Sequence, residues 1–99
     1  MEDKEIESEL VSKGLVAPRV TPELIDALIK REDYYVFPNT TLTICMLTLN
    51  NGFSVTGESA AASQENFDPE IGRKIARSNA RNKIWQLEGY LLKEKLSKT

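Results

Sequence analysis

Histidine is absent from this 99-residue chain, and cysteine occurs once, as Cys45. A single cysteine cannot close an internal disulfide, and without histidine a zinc site is improbable on chemical grounds. The same lack leaves Ser59, beside Glu58, with no base to activate it, and no G-x-S-x-G elbow surrounds it. The chain therefore reads as a non-enzyme with no cofactor. Its five glycines are scattered, with no G-x-G-x-x-G or Walker spacing, so no phosphate loop is encoded. No apolar run is long enough for a membrane span. Met1-Glu2-Asp3 lacks the basic-then-apolar character of a secretory leader. These absences together predict an intracellular, reduced setting.

Charge is present but unevenly placed. The net charge is −2, yet residues 1–35 carry −4, residues 36–68 carry −3 with no base at all, and residues 69–99 carry +5. An acidic front half and a basic tail either pair with each other, within or between subunits, or leave the tail to an anionic ligand. Both readings stand at the level of the sequence.

The basic part is one long amphipathic segment, Asp68 to Leu96, opened by Asp68-Pro69-Glu70. An N-cap acid followed by proline at the first position predicts a helix start. Gly72, Ala76 and Ala80 recur every fourth residue and form a smooth stripe that another backbone could approach. Ile71, Ile75, Ile84, Leu87, Leu91 and Leu92 supply apolar surface, while Gly89 predicts close packing or a bend. Trp85 and Tyr90 read as core or interface residues. Upstream, residues 2–13 predict a marginal acidic helix with Ile6, Leu10 and Val11 on one face and Gly14 as its stop. Thr21-Pro22-Glu23 predicts a second start, with a helix running to about Lys30-Arg31.

Glu32 to Thr40 reads as an aromatic connector holding Tyr34, Tyr35 and Phe37, either covering a sheet edge or subunit contact or offering a stacking surface. Thr41–Leu49 is a strand, with Leu42, Ile44 and Met46 on one face and Thr43, Cys45, Leu47 and Leu49 on the other. Both faces are largely apolar, which predicts cover on two sides. Asn51-Gly52 suits a two-residue type I′ turn leading into a partner strand from Phe53 to Glu58.

The candidate binding constellation is Arg73, Arg77 and Arg81, whose guanidinium groups share one helix face at i, i+4 and i+8. Such a row wants an anion: the acidic half, a phosphate-bearing ligand or nucleic acid. Glu88 is expected to pair with Arg81 or a neighbouring chain, and Glu58 at a strand end with a helix arginine.

The run Leu47-Thr48-Leu49-Asn50-Asn51-Gly52-Phe53, Thr56-Gly57-Glu58-Ser59-Ala60, Asn66-Phe67-Asp68, Ile71-Gly72-Arg73-Lys74-Ile75-Ala76, Asn79-Ala80-Arg81, Ile84-Trp85 and Leu87-Glu88-Gly89-Tyr90-Leu91-Leu92 resembles the gene 49/gene 66 family of small tailed-phage and prophage proteins. The likeness covers about residues 40–96. A hairpin with a C-terminal helix is also similar in architecture to phage anti-defence sponges, oligomers that sequester the nucleotide signals of immune systems such as Thoeris and CBASS. That second likeness implies a nucleotide ligand, with Arg73, Arg77 and Arg81 on phosphate, and Phe53, Glu58 and Tyr35 completing a pocket between subunits.

The expectation is thus an α+β fold: a β-hairpin packed on one long C-terminal helix, with one or two short N-terminal helices. It is a single domain over residues 1–99, with a marginally ordered arm over 1–16 and a hairpin-plus-helix core over 40–96. A homo-oligomer is expected, because one chain of this size buries little surface. The expected function is a phage accessory protein of the host cytoplasm that sequesters a cyclic-nucleotide or ADP-ribose-type signal. The alternative is an adaptor that inhibits or recruits a host protein. Nucleic acid is disfavoured by the acidic balance of the whole chain.

Overall fold

The computed structural model describes residues 3–15 and 17–99. In chain order these form α1 (Asp3–Ser12), α2 (Pro22–Ala27), β1 (Ile29–Val36), β2 (Leu42–Leu49), β3 (Ser54–Ala60), a single 3-10 turn at Gln64–Asn66, and α3 (Pro69–Leu96). The strands make one antiparallel sheet in the order β1-β2-β3. The long helix α3 lies across one face of that sheet.

Both helix starts read from the sequence are present. Thr21 Oγ1 accepts the Leu24 amide at 3.1 Å, and Asp68 Oδ1 accepts the Glu70 and Ile71 amides at 2.9 and 3.3 Å. Each side chain satisfies donors that the first helical turn leaves open, with proline at the first position. The β2 alternation is also as expected. Thr43, Cys45, Leu47 and Leu49 are buried beneath α3, whereas Leu42, Ile44 and Met46 are half-buried on the opposite face. With Ile25, Val55, Ala76, Ala80 and Ile84, the three apolar residues of the first group form the core.

The small-residue stripe of α3 meets a backbone, as its spacing predicted, and the backbone is β3 at Gly57. A Cβ built there would lie 2.2 Å from the Ala80 nitrogen and 2.3 Å from the Ala76 oxygen. Only glycine lets strand and helix come this close. The helix outruns the sheet: its 28 residues extend about 42 Å at about 1.5 Å each. The seven residues of β3 cover only about 23 Å. The last turns of α3 therefore project, and the molecule measures 52 × 30 × 18 Å.

Several expectations are corrected. The hairpin is part of a three-stranded sheet, because the supposed connector after α2 is largely strand β1. Lys30-Arg31-Glu32-Asp33 mask its strand character, since β1 is an edge strand with exposed charges, and a bulge at Lys30 breaks its period. Helix α2 consequently stops at Ala27, not near Lys30-Arg31. The second strand starts at Ser54 and runs on to Ala60, leaving Phe53 in the turn. That turn is not type I′, which needs positive φ at both central residues; only Gly52 has it, at 92°. Gly52 N–H donates to Leu49 O at 2.9 Å, and Leu49 N–H donates to Phe53 O at 2.7 Å. This is the three-residue loop in which a turn is followed by a left-handed glycine. Nothing lies within 4 Å of a Cβ added at Gly89, and α3 runs on unbroken there, so that glycine marks no close packing. Within one chain β2 is covered on one face only. Of the acidic arm, residues 1, 2 and 16 lie outside the described ones. Its helix α1 buries none of its residues.

Candidate functional site

The arginine row is built on the face of α3 that turns toward α1, α2 and β1. Arg77 Nε donates to Glu32 Oε2 at 2.8 Å, and Tyr34 Oη donates to the other oxygen of the same carboxylate at 2.7 Å. The Tyr34 bond and then the Arg77 bond hold the Glu32 carboxyl below its ordinary pKa. Tyr34 is pushed up, first by burial and then by donating to Glu32. Arg81 Nε donates to Asp26 Oδ1 at 2.8 Å, Nη1 donates to Asp3, and Nη2 reaches Pro22 O at 3.4 Å. Burial opposes the charge on Arg81, but the bonds to Asp26 and Asp3 outweigh it and raise its pKa. The side chain is only 14% exposed. Arg73 is exposed and forms no ion pair among the described residues.

The acidic half of the chain thus reaches the basic helix, as the charge distribution suggested. Between α1, α2 and α3 this leaves a groove of about 400 Å³ lined by Asp3, Lys4, Asp26, Lys74, Arg77, Ser78 and Arg81. Its four cations face two carboxylates.

A second cleft, of about 450 Å³, opens where the projecting end of α3 passes the β2–β3 turn. Leu49, Leu87 and Leu91 floor it, Phe53 and Tyr90 stand at its rim, and Asn51, Gln86 and Glu88 supply polar edges. Phe53 is 56% exposed and Tyr90 70% exposed, a large apolar surface to leave in water.

The remaining two candidate residues sit elsewhere. Tyr35 and Glu58 both pair in register with Ile44, on the sheet face turned away from α3. Tyr35 is 55% exposed and meets Phe37 edge-on, with ring centres 4.9 Å apart. Glu58 points away from every arginine of α3, so the ion pair expected for it does not form among the described residues; its backbone oxygen accepts from Asn79 Nδ2 at 2.8 Å. Glu88 likewise makes no ion pair among the described residues, because Arg81 is taken by Asp26 and Asp3.

One chain therefore groups Arg77 with Arg81, leaves Arg73 beyond their groove, places Phe53 in the aromatic cleft, and sets Tyr35 with Glu58 on the open sheet face. Sequence reasoning did not single out Asp3, Asp26 and Glu32 as the individual partners of the arginines. The signal available was only regional, an excess of acid in the front half. It also passed over Lys74, whose i+1 position beside Arg73 turns it into the groove. Among the described residues no cluster of His, Cys, Asp or Glu could hold a metal ion. Among them, too, no helix is long and apolar enough to cross a membrane.

Fold and surface define a small α+β protein in which one long helix, basic on one flank and apolar at its far end, is laid over a three-stranded sheet. The chain belongs to the Phage protein (N4 Gp49/phage Sf6 gene 66) family, whose model matches residues 20–96. The likeness read from residues 40–96 thus holds, and it extends back through β1 and α2. Comparison with curated proteins and with solved structures gives no match.

Proposed function

We propose that this phage protein binds and sequesters a nucleotide-type bacterial immune signal in the host cytoplasm, without turning it over. The observation that carries the reading is the cleft beneath Phe53 and Tyr90, which offers two exposed rings over an apolar floor with amide groups at its edge. A base stacks on such rings at about 1–3 kcal/mol each, and an amide edge can read its hydrogen-bonding groups. Phosphates would take the arginine row. Arg77 and Tyr90 are separated by about 20 Å along α3 at about 1.5 Å per residue, too far for one compact nucleotide to touch both in one chain. The reading therefore includes a homo-oligomer, in which one copy brings Arg73 and Arg77 to the rings of another. Isothermal titration with cyclic ADP-ribose-type molecules and cyclic dinucleotides tests it. Heat that disappears in Phe53→Ala supports the proposal; no heat with any of them, from protein shown to be oligomeric, removes it.

The open sheet face favours a second reading, an adaptor that inhibits or recruits a host protein. Leu42, Ile44 and Met46 lie there half-buried beside Tyr35, with no described helix of their own chain laid over them. A host protein captured by the native chain and lost with Tyr35→Ala, but not with Arg77→Ala, distinguishes this reading from the first.

A further inference from the structure

The groove between α1, α2 and α3 already contains an anion, and that anion belongs to the chain. Asp3, at the start of α1, accepts from Arg81 Nη1 in the middle of the cationic lining. Asp26, on α2, holds Nε of the same guanidinium from the other side. The two carboxylates are not mounted alike. Asp26 stands on α2, whose Pro22 and Ile25 are buried in the body of the protein. Asp3 stands on a ten-residue helix with no buried residue.

The seating of α1 rests on carboxylate contacts and not on buried apolar side chains. Beyond the Asp3 contact, its described polar tie to the rest of the chain is the Glu7–Arg19 ion pair. Along its side runs a half-open groove of about 270 Å³ lined by Asp3, Ile6, Glu7 and Leu10 of α1 and by Val20, Pro22 and Trp85. A helix this short is marginal in water and depends on such contacts. The family match begins at residue 20, so the cations on α3 lie inside the shared segment and α1 lies outside it.

We infer that this groove is a site for a diphosphate or polyphosphate group, and that Asp3 on α1 is a removable carboxylate plug within it. The identity of the ligand as a nucleotide rests on the proposed function; the plug does not. Lifting α1 frees Arg81 Nη1 while Asp26 keeps the guanidinium in place. Arg77, held through Nε by Glu32, keeps its outer nitrogens for a ligand; Lys74, paired with Glu70 at 3.7 Å, and the Ser78 hydroxyl complete the α3 side of the lining, while Lys4 leaves with α1. A phosphate group carries more charge and more acceptor oxygens than one carboxylate, so it wins the exchange.

The affinity of a ligand that needs the open groove is reduced by the fraction of time the groove is open. Removing the plug tightens binding by the reciprocal of that open fraction, a gain of several-fold. The test is calorimetric titration of inorganic pyrophosphate, at fixed ionic strength, into the full-length protein, Asp3→Asn and Glu5→Gln. Glu5 is an exposed acid of the same helix with no ion pair among the described residues, so its variant removes equal charge without the contact. Amide hydrogen exchange of α1 in the unmodified chain is followed in parallel, with and without pyrophosphate.

The expected result is tighter binding for Asp3→Asn, none of that gain for Glu5→Gln, and faster α1 exchange when pyrophosphate is added. Unchanged or weaker binding by Asp3→Asn overturns the plug, as does an equal gain from Glu5→Gln, unaltered α1 exchange, or no pyrophosphate binding by any of the three proteins. Nucleotide titration of the same proteins separates this outcome from failure of the sequestration reading. Nucleotide binding that Asp3→Asn leaves untouched removes the plug alone; nucleotide binding absent from all three, with pyrophosphate still displacing α1, removes sequestration alone.

Discussion

Two glycine-to-alanine substitutions in this chain should move stability in opposite directions, and the difference measures how tightly α3 is pressed on the sheet. At Gly57 the added carbon would stand 2.2 and 2.3 Å from main-chain atoms of Ala80 and Ala76, and 2.8 Å from the Asn79 carbonyl carbon. Ordinary contacts begin about 1 Å further out, and a helix backbone cannot turn aside as a side chain can. The whole of α3 must retreat from β3, opening the core around Leu47, Val55 and Ile84. Overpacking of this kind costs about 1–3 kcal/mol, and obstruction by main chain places Gly57→Ala at the upper end, about 3 kcal/mol. For a domain of this size each kcal/mol shifts the melting temperature by about 4–8 °C, so a fall of about 12–24 °C is expected. At Gly89 nothing lies within 4 Å of the added carbon. Alanine there gains helix propensity of about 1 kcal/mol, a rise of about 4–8 °C. Thermal melts followed by far-ultraviolet circular dichroism decide the matter. If Gly57→Ala melts within a few degrees of the parent, strand and helix are not in main-chain contact and the packing argument is wrong.

Thr43 is fully buried and its Oγ1 has no hydrogen-bond partner among the described residues, so Thr43→Val should stabilise by about 1 kcal/mol; chemical denaturation showing a loss of that size would mean the hydroxyl is in use. Glu32 titrates below its ordinary value in the folded state, first through Tyr34 and then Arg77. Its stabilisation is therefore complete above the unfolded pKa of about 4.5 and disappears as pH falls through the lower folded value. Glu32→Gln should flatten that part of the acid limb and lower stability at neutral pH, and an unchanged acid limb would count against the pairing. Cys45 is buried and its thiol is pushed up by burial, so native protein should resist alkylation until it is unfolded.

The elements legible in the sequence were those whose signals are local. Thr21-Pro22 and Asp68-Pro69 announce their helices by chemistry contained in three residues. The Gly72-Ala76-Ala80 stripe announces a close approach by spacing alone, although which strand would make it could not be read. Strand β1 is hidden because its hydrogen bonds come from β2, a dozen or so residues on, while half of its own side chains are charged and most are exposed. The turn was misjudged because Asn51-Gly52 fits two loop lengths, and the hydrogen bond from Gly52 to Leu49 selects the longer. For the site, the sequence could align three arginines on a helix face but not assign their partners. Arg77 and Arg81 are held by residues 45 and 55 positions away, separations that no local pattern encodes.

The bulge and the charges of β1 have a consequence for how copies of the protein can meet. Lys30, Arg31 and Asp33 line an outer rim whose ladder is already broken at Lys30. Another strand trying to zip onto that rim would meet a misaligned backbone and clashing charge, so growth of the sheet into ribbons is blocked at this side. Of the two sheet edges, only β3 then offers a regular ladder to another strand.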